Sequence, residues 1–202
     1  MIRGATAYFA AFSELLRGMS ITTGDRQRLS LDEGVAEAVD YVQVVRETSK
    51  KVMIVGNGGS ATIASHIHTD LSHSIGMRSL VYYDAGLLTA RANDFGYESA
   101  FEWSSSIWAD PGDLLLAISS SGQSKNILRT VQSCASRGCN VITFSGFNED
   151  NPLRQMGQLN FYIPSQSYGY VEMAHAILAH CIADHVLAEI GISSARAKLP
   201  TR

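Results

Sequence analysis

The chain lacks most of what would mark it for secretion, a membrane or a nucleic acid. Its three cysteines, Cys134, Cys139 and Cys181, are odd in number, show no C-x-x-C spacing and fall inside apolar patterns. That excludes a disulfide framework and fits reduced core residues. Lysine and arginine number 16 against 19 aspartates and glutamates, for a formal net charge of -3. With no basic excess to follow a phosphate backbone, a general nucleic-acid binder is excluded. No basic-then-apolar leader opens the chain, and no run of about 18 apolar residues offers a bilayer span. The expected setting is the cytoplasm, with no membrane partner. Internal repeats, low-complexity tracts and a convincing linker are missing too. At 202 residues, 46% hydrophobic and 17% charged, the chain suits one well-buried core and is short for two full domains. One domain is expected over residues 1–202.

Nucleotide signatures are also absent: there is no G-x-x-x-x-G-K-[ST] and no G-x-G-x-x-G. What is present is a pair of serine- and glycine-rich loops. Gly56-Asn57-Gly58-Gly59-Ser60 follows the apolar run Val52–Val55, and Ser119-Ser120-Ser121-Gly122-Gln123-Ser124 follows Leu114–Ile118. Each runs from a strand end into a helical pattern, so N–H groups and hydroxyls converge where partial positive charge favours an anion. The first loop holds no lysine to reach a second or third phosphate. A singly phosphorylated small molecule is the expected guest.

Ala5, Tyr8, Phe9, Phe12, Leu15, Leu16 and Met19 recur at helical intervals until Gly24 and its polar neighbours. Ser30 and Glu33 form a capping box ahead of Val35, Ala38, Val39, Val42 and Val45. Residues 1–48 therefore read as a helical pair, and the three aromatics of its first helix favour a contact between subunits. Strands are expected near 52–55, 79–83, 113–118, 140–145 and 159–163. Helices fall between and after them, near 60–74, 87–108 with a break, 124–137 and 170–190. This pattern predicts a three-layer α/β domain with a doubly wound, parallel, five-stranded sheet. Ligands in such sheets bind at the carboxyl ends of strands, where both loops lie.

Acid–base candidates come in two pairs. His66 and Asp70 lie four residues apart on the helix after the first loop, about 40° from each other around its axis. Glu172 and His180 lie eight apart on the last helix, about 80° from each other, whereas His175 points about 140° away from His180. Three readings stand: satisfied surface or interface groups; a carboxylate base with a histidine acid passing through an enediol; or a metal, since two histidines and two carboxylates suit zinc. Trp103 and Trp108 read as packing residues, and Asp94 as either a ligand group or the cap of a helix from Glu98.

These motifs together, with Ala92-Asn93-Asp94-Phe95-Gly96-Tyr97, Pro111-Gly112-Asp113 and the helix carrying Glu172, His175 and His180, resemble the phosphoheptose isomerase family of sugar isomerase (SIS) domains, which have a flavodoxin-like fold. The resemblance implies a homotetramer with active sites between subunits and conversion of sedoheptulose 7-phosphate to D-glycero-D-manno-heptose 7-phosphate. It implies substrate contacts at Asn57, Gly58, Gly59, Ser60, Asp94, Ser119, Ser120, Ser121, Ser124 and Glu172. It further implies catalysis by Asp70, His180 and Glu172, and zinc, one per subunit, on His66, Asp70, Glu172 and His180. This chain departs from the family pattern at Asp70 and Glu172, where glutamate and glutamine are usual, at Ser74 in place of an arginine, and at Gly169 in place of an aspartate. Those departures keep open an isomerase of another sugar phosphate. A non-enzymatic sugar-phosphate sensor or replication-initiator-associating relative is the other alternative. Asp70, His180 and Gly59 favour the enzyme.

Overall fold

Val52 and Ile54 pack on one side of their strand and Met53 and Val55 on the other, all of them buried. A strand apolar on both faces needs a layer of helices above and below it. The computed structural model describes residues 4–191 and supplies those layers. Five parallel strands, β3 (Lys51–Val55), β4 (Arg78–Val81), β5 (Leu114–Ser119), β6 (Asn140–Ser145) and β7 (Leu159–Tyr162), lie in the spatial order β4-β3-β5-β6-β7. Helices α2 (Leu31–Glu47), α3 (Gly59–Thr69) and α7 (Tyr168–Glu189) cover one face; α5 (Glu102–Trp108) and α6 (Lys125–Ser136) cover the other. The Ser30–Glu33 capping box forms as its spacing predicts: the Glu33 N–H donates to Ser30 Oγ at 3.2 Å and the Ser30 N–H to Glu33 Oε2 at 2.8 Å.

The sheet is larger than the sequence pattern indicates. Helix α1 (Ala5–Arg17) ends well before Gly24, and β1 (Ser20–Thr23) and β2 (Arg28–Leu29) form a hairpin that pairs antiparallel with β7, giving seven strands rather than five. The segment expected as one broken helix is α4 (Ala85–Phe95), a 3-10 turn at Tyr97–Ser99, and α5. Helix α7 is long and apolar enough by composition to cross a membrane, which amends the expectation that no segment reaches that threshold. Its residues Val171, Ala174, Leu178, Ala179, Ala183, Val186 and Leu187 are buried in the core of this domain.

At the amino-terminal end of the sheet, Lys51 is buried with its ammonium 2.5 Å from Asp113 and 2.7 Å from Asp110. Asp113, also buried, accepts the N–H groups of Lys51 at 3.0 Å and Asp110 at 2.7 Å. Burial works against the Lys51 charge, but the bonds to Asp110 and Asp113 outweigh it and raise its pKa. The cluster ties the starts of β3 and β5 together and leaves the opposite end for function.

Candidate functional site

Strand order reverses between β3 and β5, so the connections leaving them diverge to opposite faces and open a crevice. Both serine/glycine loops border it. The resulting cleft, about 250 Å³, is lined by Asn57, Gly58, Gly59, Ser60, Ser119, Ser120, Ser121, Ser124, Tyr168 and Glu172. Helices α3, α6 and α7 all begin there, and in none does the N-cap side chain accept from the first turn. Their leading N–H groups are donors in need of an acceptor. Ser119 Oγ lies 3.3 Å from Ser124 Oγ, and the buried Ser120 Oγ has no hydrogen-bond partner among the described residues. These are the features of an anion cradle built from hydroxyls and backbone rather than from a fixed cation.

The first loop is braced from three sides. The Tyr83 hydroxyl donates to the Gly56 carbonyl at 3.0 Å and accepts its N–H at 2.9 Å. Asn57 exchanges amide hydrogen bonds with Asn126 at 3.0 and 2.9 Å, and its Oδ1 also accepts the Tyr97 hydroxyl at 2.8 Å. Asn57 thus links the start of α3 to the start of α6. Gly58 takes a φ of 55°, open to glycine at no cost. Gly59 matters for another reason, because a Cβ there would displace the Glu172 carboxylate. Glu172 therefore reaches across from α7 and sets its negative charge against the start of α3, where the backbone favours it.

The second polar site lies further along the same two helices. His66 on α3 and His180 on α7 face Asp70, with Nε2 and Nδ1 respectively 3.6 and 3.3 Å from Asp70 Oδ2. Their rings are 4.8 Å apart. Asp70 opens a π-helical turn, Asp70–Ser74, in which the Ile75 N–H donates to the Asp70 carbonyl at 3.1 Å; such turns concentrate at functional sites. Asp70 Oδ2 is buried without a hydrogen-bond partner. One nitrogen from each histidine and one carboxylate oxygen fall within 4.8 Å of one another, an arrangement able to hold a metal ion. Glu172 is not brought into this group. It belongs to the serine cleft, eight residues and so about 12 Å back along α7.

The structure also places the remaining candidates. Asp94 neither caps a helix nor lines the cleft: it sits exposed in the last turn of α4, accepting from Asn93 Nδ2 at 2.9 Å. Trp103 and Trp108 are 42% and 55% exposed; the Arg91 guanidinium lies over the Trp103 ring, 4.8 Å from its centroid, and about half of each ring is left uncovered. His175 is fully buried, with Nε2 donating to the Ser145 carbonyl at 3.2 Å, and burial pulls its pKa down to about 4. Sequence reasoning missed Tyr83, Tyr97, Asn126 and Tyr168. Tyr97 ends one quoted motif and Asn126 lies two residues past another, but nothing local indicates that they meet.

Comparison with known proteins agrees with this geometry. Residues 8–146 match the family described as the SIS domain. A phosphoheptose isomerase from Coxiella burnetii is 32% identical over 162 residues, 76% of this chain and 81% of that protein. One from Shewanella sediminis is 28% identical over 166 residues, 78% and 84% of the two chains. Among solved structures, the phosphoheptose isomerase GmhA from Neisseria gonorrhoeae superposes with a TM-score of 0.79 at 23% identity, covering 90% of this chain and 96% of that one.

Proposed function

The chain belongs to the SIS-domain family of phosphoheptose isomerases, and on that premise we propose that it is an aldose–ketose isomerase converting sedoheptulose 7-phosphate to D-glycero-D-manno-heptose 7-phosphate. The observation that carries the reading is the spacing of the two polar sites along α7. Glu172, at the cleft, and His180, in the histidine–aspartate group, are eight residues and so about 12 Å apart along α7, and a groove lined by Thr62, Ile63, His66, Ala176 and His180 follows the α3–α7 seam beside the second of them. An extended heptose phosphate has that order of length, with its phosphate at one end and its carbonyl at the other.

Ser119, Ser121 and Ser124, with the first N–H groups of α6, hold the phosphate through charge-assisted hydrogen bonds. Ser120 adds its unpartnered hydroxyl. Asn57, Ser60 and the backbone of Gly58 and Gly59 face the sugar, as does the Glu172 carboxylate. Asp70, whose Oδ2 is buried between the His66 and His180 rings, takes the carbon-bound proton next to the carbonyl and returns it to the neighbouring carbon. His180 gives a proton to the carbonyl oxygen and recovers one from the adjoining hydroxyl. Because Nδ1 of His180 faces Asp70, Nε2 is the nitrogen left for this exchange. The donor set and the orphaned Asp70 oxygen fit zinc, which His66, Asp70 and His180 would hold and which would supply Lewis-acid polarisation of the substrate oxygen.

The active unit is a cytoplasmic homotetramer with sites between subunits. Support comes from two separate exposed aromatic surfaces, one with Tyr8 and Phe9 on α1 and one with Phe95, Trp103 and Trp108 on α4 and α5. The deciding experiment incubates the protein with a panel of ketose and aldose phosphates and follows interconversion by NMR. Sedoheptulose 7-phosphate should be converted, and His180→Ala should abolish conversion; a panel left entirely untouched overturns the proposal. Light scattering should report a tetramer, and elemental analysis up to one zinc per chain.

A further inference from the structure

Phe147 has a backbone φ of 58°, in a left-handed region that a bulky residue occupies only where its surroundings impose it. Those surroundings are identifiable. The Phe147 N–H donates to the Ser165 carbonyl at 3.0 Å, its carbonyl accepts the Tyr162 hydroxyl at 2.8 Å, and its ring rests on the apolar cluster of Ile163, Val171 and Ala174. The strained backbone aims that ring at Tyr168, with centroids 4.8 Å apart and planes at 81°, an edge-to-face pair. Tyr168 lines the serine cleft beside Glu172 yet keeps 63% of its surface exposed. An exposed aromatic ring at a polar cleft, fixed by a neighbour held in strain, is a prepared surface. Strain of this kind persists where the surrounding structure over-determines the conformation, and it clusters at ligand sites.

We propose that Tyr168 is a further substrate-binding residue: its ring, fixed by Phe147, packs against the C–H face of the phosphorylated sugar where the carbon chain leaves the phosphate. The next residue, Gly169, brings no side chain to this wall, and a Cβ there would meet only the Tyr8 hydroxyl at 3.8 Å. Recognition beside the cradle therefore passes from hydrogen bonds to an aromatic surface, which gives affinity through apolar contact and tolerates variation in hydroxyl configuration. This inference rests on the sugar-phosphate reading of the cleft.

Its test compares the intact protein with Tyr168→Ala, Tyr168→Phe and Phe147→Gly, measuring turnover of sedoheptulose 7-phosphate and binding of inorganic phosphate. Tyr168→Ala should raise KM about tenfold with kcat within about twofold and leave phosphate affinity unchanged, whereas Tyr168→Phe should match the parent. Phe147→Gly, in which glycine takes the left-handed φ freely, should stay folded and raise KM part of the way. An unchanged KM in Tyr168→Ala overturns the inference, and so does a Tyr168→Phe variant as impaired as the alanine one. A parent protein that neither binds phosphate nor turns over any sugar phosphate overturns the isomerase reading itself, and this inference with it.

Discussion

The two ends of the parallel sheet both bury polar groups, and they treat them in opposite ways. At the amino-terminal end, the Lys51 ammonium has two carboxylates and Asp113 has three donors. At the carboxyl end, Ser120 Oγ is buried with no partner among the described residues, and three helices start without a bond from their N-cap side chain. An unpaired buried polar group costs free energy that only a ligand can return, whereas a fully paired ionic cluster is costly to break but binds nothing. Charge is concentrated where the fold is tied together, and neutral donors are left open where an anion is to be received.

The largest effect should come from emptying the open end. Replacing Ser119, Ser121 and Ser124 together by alanine should abolish sugar-phosphate binding in calorimetric titration with the melting temperature little changed; retained affinity would break the comparison at its functional side. At the closed end the expectation reverses. Asp113→Ala leaves Lys51 buried and short of a partner, so chemical denaturation should show a loss of about 3–5 kcal/mol, with the KM of the folded fraction unchanged.

His175 lies between these extremes, buried under the cleft and neutral. Its pKa of about 4 in the fold lies below the unfolded value near 6.5, so the unfolded chain binds the extra proton between those values. Its contribution is complete above pH 6.5, falls as pH drops, and is lost by about pH 4, in all about 3 kcal/mol. Urea midpoints measured across that window should show this slope, and His175→Gln should flatten it. The smallest effect should be Gly59→Ala, whose Cβ displaces the Glu172 carboxylate. A loss of about tenfold in kcat/KM is expected, with stability nearly unaltered because a flexible side chain can move away. A variant as active as the parent would detach Glu172 from the sugar.

Local pattern made much of this legible. The five apolar runs, the capping box and the loops that follow two of those runs each depend on neighbours in sequence, so their strands, helix start and positions could be read directly. The hairpin β1–β2 could not. Its strands span only four and two residues, and what makes β1 a strand is its pairing to Leu159–Tyr162, more than 130 residues away. The trio of His66, Asp70 and His180 was foreseeable in part, because residues four apart share a helix face. Glu172 was grouped with them on helix angle and on the family resemblance. An 80° separation looks close on a helical wheel, but eight residues of rise carry the carboxylate about 12 Å along the axis. Only packing against Gly59 decides which site it serves. Trp103 and Trp108 show the same limit, since sequence shows that a face is apolar and not which surface buries it. Sequence by itself determined what short-range periodicity and loop chemistry can encode: the parallel α/β core and a carboxyl edge built for an anion. Tertiary structure decided the rest, namely the antiparallel extension, the partition of polar residues into two sites and the strained Phe147 against Tyr168. Each of those depends on contacts between segments far apart in the chain.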